Sequence, residues 1–236
     1  MISATRTLTH CLSEHVDWHI ARVQCVSLFI LSMFACESVS LSKVSTRFGT
    51  TAKRDSHFKR LQRLLRFQVF DYHSIAKLVL ELSGVDIASC TVAVDRTNWK
   101  FGALHINILV IGVVHGSLCI PVVFSLLPKQ GNSNHKERKV LLKQFLEIIP
   151  ASNITLFLAD REFIGESWFK HLQKQKIPYV IRVKENFIAT LSKKGTIRLS
   201  KRFANLRKNK RVTLYDIHLC GVSTHLAATR LELVQN

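Results

Sequence analysis

TVAVDRTNWKFG at Thr91–Gly102 decides how this chain is read, together with its counterpart ITLFLADREFIG at Ile154–Gly165. Each begins as a short apolar run, reaches an aspartate (Asp95 or Asp160) and continues at once with an arginine. Such runs predict short strands buried on both faces, each ending at its aspartate. Between them, residues 101–127 (FGALHINILVIGVVHGSLCIPVVFSLL) contain no Lys, Arg, Asp or Glu. That length would suit a membrane helix. The Ile and Val content and the break at His115-Gly116-Ser117 instead predict a hairpin buried on both faces. Asn134 with Glu137 three residues on predicts a capped helix whose core face is Leu141, Leu142, Phe145, Ile148 and Ile149. A second helix is expected over Gly165–Lys176, burying Trp168, Phe169 and Leu172, and a third strand at Pro178–Val183. Strand, hairpin, helix, strand, helix, strand describes an α/β fold, a mixed sheet with flanking helices.

On the N-terminal side the period changes. Residues 1–85 read as helical, with Trp18–Phe34 apolar at helical spacing, and SGVD at Ser83–Asp86 marks a boundary. After a Ser/Thr-rich stretch comes FKRLQRLLRF, where Phe58, Leu61, Leu64 and Leu65 form one face and Lys59, Arg63 and Arg66 recur at i, i+4 and i+7 on another. Two readings stay open: a helix-turn-helix-like DNA binder with those three cations as DNA contacts, or a helical bundle with a solvated basic face. On the C-terminal side, residues 187–236 alternate as strands in TIRLS, RVTLYDIHLC and VSTHLAATRLELV.

The 236 residues carry 34 Lys and Arg against 16 Asp and Glu, a net charge of +18, which calls for a polyanionic partner. Eight of the cations lie in Lys43–Arg66 and eleven in Arg182–Arg211, each block against a single acid, so the charge flanks a near-neutral centre like two grips on an extended polyanion. Six cysteines without paired spacing exclude a disulfide framework and suit a reducing, cytoplasmic setting. No secretory signal is expected, and no membrane span.

Asp95 and Asp160 each end a buried strand, and strand ends of neighbouring parallel strands lie side by side. One strand-end Asp alone is best read as a turn cap. A pair repels unless a cation lies between, and hard oxygen donors suit Mg²⁺ or Mn²⁺. The strings DRTNWK, KQGNSNHKER, ADREFIGESWF and IRVKENF resemble those of DDE transposases of the bacterial insertion-sequence-4 group, over most of the chain and most strongly from Asp95 to Phe187. That resemblance implies a ribonuclease-H-like core over residues 86–186, a helical DNA-binding domain over 1–85 and a β-rich basic insertion over 187–236. It implies that Asp95 and Asp160 are the first two catalytic carboxylates and metal ligands, with Mg²⁺ or Mn²⁺ as cofactor. Two-metal cutting and joining of phosphodiesters follows from it, with double-stranded transposon-end DNA as partner, Arg161, Arg182 and Lys184 as phosphate contacts, and a homodimer. Trp99 is read as core.

The family's third carboxylate is a Glu in a motif of Tyr, two residues, Arg, three residues, Glu, six residues, Lys. It has no match: Tyr215 has His218 at the Arg position, and Glu232, the last acid, sits in LELV, which alternates like a strand. The expectation is a transposase chain that stops before its core is complete and does not cleave by itself. The alternative is a non-catalytic DNA-binding remnant or inhibitor of a full-length relative. A third reading places zinc at Cys11, His15 and His19, at i, i+4 and i+8 of one helix, though three ligands on one helix do not close a tetrahedral site.

Overall fold

Apolar residues at helical spacing fold the first part of the chain into helices α1 (Ile2–His15), α2 (Ile20–Cys36), α3 (Leu41–Val44), α4 (Arg54–Phe67) and α5 (Tyr72–Ser83). The computed structural model describes residues 2–49, 52–191 and 195–230. The chain divides into two units, Met1–Val79 and Leu80–Asn236.

In the first unit, α1 and α2 meet through Leu12, Val16 and Val23, joined by Leu78 of α5. A second cluster holds α2 to α3 and α4 through Cys25, Val44, Phe48, Leu61 and Leu64. The Thr9 hydroxyl donates to Ser27 Oγ at 3.0 Å, and Ser27 donates on to the Val23 carbonyl, so the buried hydroxyls between α1 and α2 are satisfied. α1 stops at His15, and His19 lies beyond the break as the cap of α2, its Nδ1 accepting from the Ala21 N–H. Cys11, His15 and His19 therefore do not share a helix, and no group of three metal-ligating side chains forms among the described residues, which removes the zinc reading. Leu65, expected on the apolar face of α4, is 47% exposed, because Leu61 and Leu64 already fill the side that faces α2.

The second unit carries a five-stranded sheet of β1 (Cys90–Phe101), β2 (Leu104–His115), β3 (Leu118–Leu127), β4 (Ile154–Ala159) and β5 (Tyr179–Ile181), in the order β3-β2-β1-β4-β5. β1, β2 and β3 pair antiparallel, while β4 and β5 are parallel to β1. Helices α6 (His135–Leu146) and α7 (Glu166–Lys174) follow β3 and β4. This is the α/β arrangement the sequence predicts, a five-stranded mixed sheet with flanking helices. Cross-strand partners share a face. Val92, Val113 and Phe157 are on one face, with Val94, Ile111 and Leu109, and all are buried. Leu141, Leu142 and Phe145 of α6 and Trp168 and Leu172 of α7 pack there, with the Trp168 ring edge-on to Phe157 at 5.9 Å.

The other face carries Asp95, Val110, Phe124 and Val180, and Phe124 and Val180 are exposed. The charge-free stretch is thus a hairpin, as expected, but one of its faces is open. β3 is an edge strand, and its outward residues alternate with buried ones. Among the described residues no single helix is long and apolar enough to cross a membrane. Pro121 sits where the β2–β3 register shifts, on the edge strand, where a missing N–H breaks no ladder.

Two strands end elsewhere than expected. β1 does not stop at Asp95 but runs on to Phe101, because β2 pairs with it over its whole second half. Trp99 rides on that extension and is 61% exposed, not core. Residues after 187 form a second sheet of β6 (Ile188–Leu191), β7 (Gly195–Arg198), β8 (Arg211–Leu219) and β9 (Val222–Thr229), ordered β7-β6-β8-β9. Strand TIRLS gives way at Leu199 to a short helix, α8 (Leu199–Phe203), since Leu199 is drawn into the core of Ala189, Leu214 and Ile217. LELV and Glu232 lie outside the described residues.

The capping box at α6 is present in full. Asn134 accepts from the Lys136 and Glu137 N–H groups, and Glu137 accepts from the Asn134 N–H at 2.7 Å. Asn134→Ala is expected to cost about 1 kcal/mol, read as a lowered midpoint of chemical unfolding.

Candidate active site

β1 has two neighbours only as far as Val94, which pairs with Ala159, the last residue of β4. One step further on, Asp95 and Asp160 occupy neighbouring positions on the two parallel strands. Asp160 keeps extended backbone angles (φ −82°, ψ 172°), so the alternation of faces carries through it. Both therefore belong to the open face, on strands about 4.8 Å apart. β4 ends there because the chain turns into a 3-10 turn, Arg161–Phe163, with the Phe163 N–H bonded to the Asp160 carbonyl. Phe163 is fully buried and anchors that turn.

Little in the chain occupies the two carboxylates. Asp95 Oδ1 accepts from the backbone N–H of Arg96 at 2.7 Å. Asp160 Oδ1 is shielded from solvent and has no hydrogen-bond partner among the described residues, although its side chain as a whole is half exposed. Its nearest cation is Arg182 Nη1 at 3.5 Å, too far for a good hydrogen bond but close enough for attraction. Arg182 follows β5 and is tethered by its own N–H to the Ala159 carbonyl at 3.1 Å. Cys119 lies on the same side: burial pushes its thiol up, and the Asp95 charge adds to that push. Arg161 and Lys184 are exposed on the chain just after β4 and β5. Lys59, Arg63 and Arg66 are exposed on α4 in the first unit.

Beneath the aspartates, on the helix-covered side, lies a polar network absent from the sequence-based candidates. Arg96 forks onto Glu162, Nε to Oε1 at 3.0 Å and Nη2 to Oε2 at 2.9 Å, and reaches Asn107 and Asn132 with its other donors. Asn107, buried in β2, donates to the Lys129 and Gly131 carbonyls. Arg138 of α6 is buried, bonded to Ser133 and to the Glu162 carbonyl, and lies over the Phe163 ring at 4.9 Å. Burial pulls its guanidinium below the ordinary arginine range, against the opposing charges of Glu162 and Glu137. The signal was available: Arg138 stands three and four residues before Leu141 and Leu142, a charge on the buried stripe of a helix. The network ties the strand bearing Asp95 to the turn that follows Asp160.

Two adjacent carboxylates with a solvent-shielded, unsatisfied oxygen form a hard donor set that fits a divalent cation. Among the described residues no third His, Cys, Asp or Glu completes a metal-holding group with them.

Solved structures that match parts of the chain include the HTLV-2 integrase catalytic core domain in complex with magnesium, in dimeric form (12% identity, 39% of this chain, 59% of that chain, TM-score 0.31). Others are the simian T-cell lymphotropic virus intasome with PP2A regulatory subunit B56 gamma (7%, 50%, 46%, 0.33) and the Mos1 strand transfer complex (10%, 69%, 58%, 0.29). The matched regions span between 46% and 59% of those chains. No curated protein matches the sequence. A family does: the transposase DDE domain matches residues 89–220, more than half of the chain and the whole path from β1 to β8 with both aspartates on it, and the chain belongs to that family.

Proposed function

We propose that the chain is a transposase of the insertion-sequence-4 group, in which Asp95 and Asp160 together hold Mg²⁺ or Mn²⁺ for work on phosphodiesters. The observation that carries this reading is the register Val94–Ala159, which sets the two carboxylates at neighbouring strand positions, one of them with an unsatisfied oxygen. Such ions activate an attacking water or 3′-hydroxyl and stabilise the leaving oxygen. Asp95 and Asp160 supply the ligands, and the Arg96–Glu162 fork holds their two backbones in step. Arg182 balances the Asp160 charge and, with Arg161 and Lys184, offers contacts to DNA phosphates, while Lys59, Arg63 and Arg66 form a DNA-contacting face for a double-stranded transposon end, whatever strand form meets that face. A homodimer and a cytoplasmic location belong to the same reading.

A second reading is favoured by one observation, the lack of a third ligand among the described residues. Two carboxylates alone bind a divalent ion weakly, so this chain is expected to bind DNA without cutting it, as a non-catalytic DNA-binding protein or an inhibitor of a related transposase.

Mn²⁺ binding followed by electron paramagnetic resonance tests the site. Asp95→Asn and Asp160→Asn should each weaken binding about tenfold, the loss of one charged ligand being worth about 1.4 kcal/mol. Unchanged binding in the double variant would remove the metal reading. Metal-dependent nicking of DNA by the wild-type chain, lost in Asp95→Asn, would instead overturn the second reading.

A further inference from the structure

The first unit lies outside the matched family region, and its most basic element is α4. The five cations of α4 divide into two sets. Arg54 is bonded to Ser42 Oγ at 2.6 Å, and Arg60 is bonded to the Ala21 carbonyl and lies over the Phe48 ring, so both hold the unit's own structure. Lys59, Arg63 and Arg66 are exposed and form no ion pair with a described acid; only Arg63 touches its own helix, its Nε donating to the Lys59 carbonyl at a long 3.4 Å, and the one acid of the helix, Asp55, is in its first turn. They lie within eight residues, about 10 Å of helix.

These cations line a groove of about 770 Å³ together with Gln62 and the apolar side chains Leu41, Leu65 and Phe67. Leu65 is 47% and Phe67 67% exposed, and the Arg66 guanidinium lies over the Phe67 ring at 5.5 Å. Phosphate contacts alone do not need an aromatic wall. A duplex has its bases stacked inside and its backbones apart across a minor groove of about 6 Å or a major groove of about 12 Å. It would lie across the mouth of this groove and leave Phe67 and Leu65 in water. An unpaired strand can enter, because it offers phosphates on one edge and open base faces on the other.

We propose that the groove lined by Lys59, Arg63, Arg66 and Phe67 is a binding cleft for an unpaired stretch of DNA, with phosphates on the three cations and a base stacked on Phe67. The inference rests on the reading of α4 as a DNA-contacting face and adds the form of DNA that it takes. It is independent of the metal chemistry at Asp95 and Asp160.

The test is fluorescence anisotropy of the full chain with a labelled oligo(dT) strand and with a labelled blunt duplex of the same length. Phe67→Ala should weaken binding of the single strand about 5- to 100-fold and change duplex binding less than about twofold, since a duplex offers no base face at its side. Phe67→Trp should restore the single-strand affinity. Lys59→Ala/Arg63→Ala should weaken both ligands and flatten the salt dependence by about two phosphate contacts. Unchanged single-strand binding in Phe67→Ala overturns the proposal. If Lys59→Ala/Arg63→Ala still weakens the duplex, the DNA-contacting face survives without the cleft. If neither variant changes either ligand, that face fails too. All the substituted side chains are exposed, so unfolding midpoints within 2 °C of wild type will show that the variants are folded.

Discussion

Arg138→Ala is expected to destabilise the second unit by about 3 kcal/mol, the cost of stripping donors from buried acceptors and opening a hole where a guanidinium sat. Three acceptors lose their partner at once: Ser133 Oγ, the Ser133 carbonyl and the Glu162 carbonyl. The Phe163 ring loses its cation as well. Arg138→Met separates the contributions, because methionine keeps a flexible apolar stem over Phe163 and supplies no donor. If hydrogen bonding dominates, methionine recovers less than half of the loss in chemical unfolding. A result in which Arg138→Ala leaves the unfolding midpoint unchanged would mean that water replaces the guanidinium without cost. Because the same arginine grips the turn after Asp160, Mn²⁺ affinity should fall alongside stability.

Gly112→Val is the second large effect. A Cβ at Gly112 would stand 2.5 Å from the Ile120 carbonyl oxygen and 2.8 Å from Cys119 Sγ. The first of these is backbone, and it lies in the stretch where β3 bulges over β2, so it cannot rotate away. Separation of β2 from the edge strand is the only relief, at a cost of about 3 kcal/mol. Gly116 gives the contrast. It has φ +59° in the turn and nothing within 4 Å of a built Cβ, so Gly116→Ala should cost only about 1 kcal/mol, through the backbone. Thermal unfolding of the two variants should rank them in that order. The reverse order would mean that the β2–β3 contact is looser than the structure has it.

The order of elements was legible because each element of the central sheet announces itself locally. VAVD and FLAD are apolar runs closed by an acid, Asn134 and Glu137 spell a capping box, and Trp168, Phe169 and Leu172 recur at helical spacing. Asp95 and Asp160 could be picked out because each closes such a run. Errors came where a neighbour distant in the chain overrides the local pattern. β1 outlasts Asp95 because β2 offers it a ladder to Phe101. Trp99 is carried into solvent with that extension, and Leu65 is displaced by Leu61 and Leu64. The Arg96–Glu162–Arg138 network joins residues up to 66 apart in sequence, so no periodicity could have exposed it whole.

Composition and spacing were enough to establish a strongly basic chain, with a helical first part, a mixed sheet behind it and two aspartates at the ends of apolar runs. These follow from the backbone's need to pair its own polar groups and from the cost of leaving apolar side chains in water, both of which act within a few residues. Which aspartate position neighbours which, which face of the sheet stays open and which arginines are spent on the fold depend on strand register and on packing between remote segments. Those are properties of pairs of elements, and a single element's pattern carries no record of its partner.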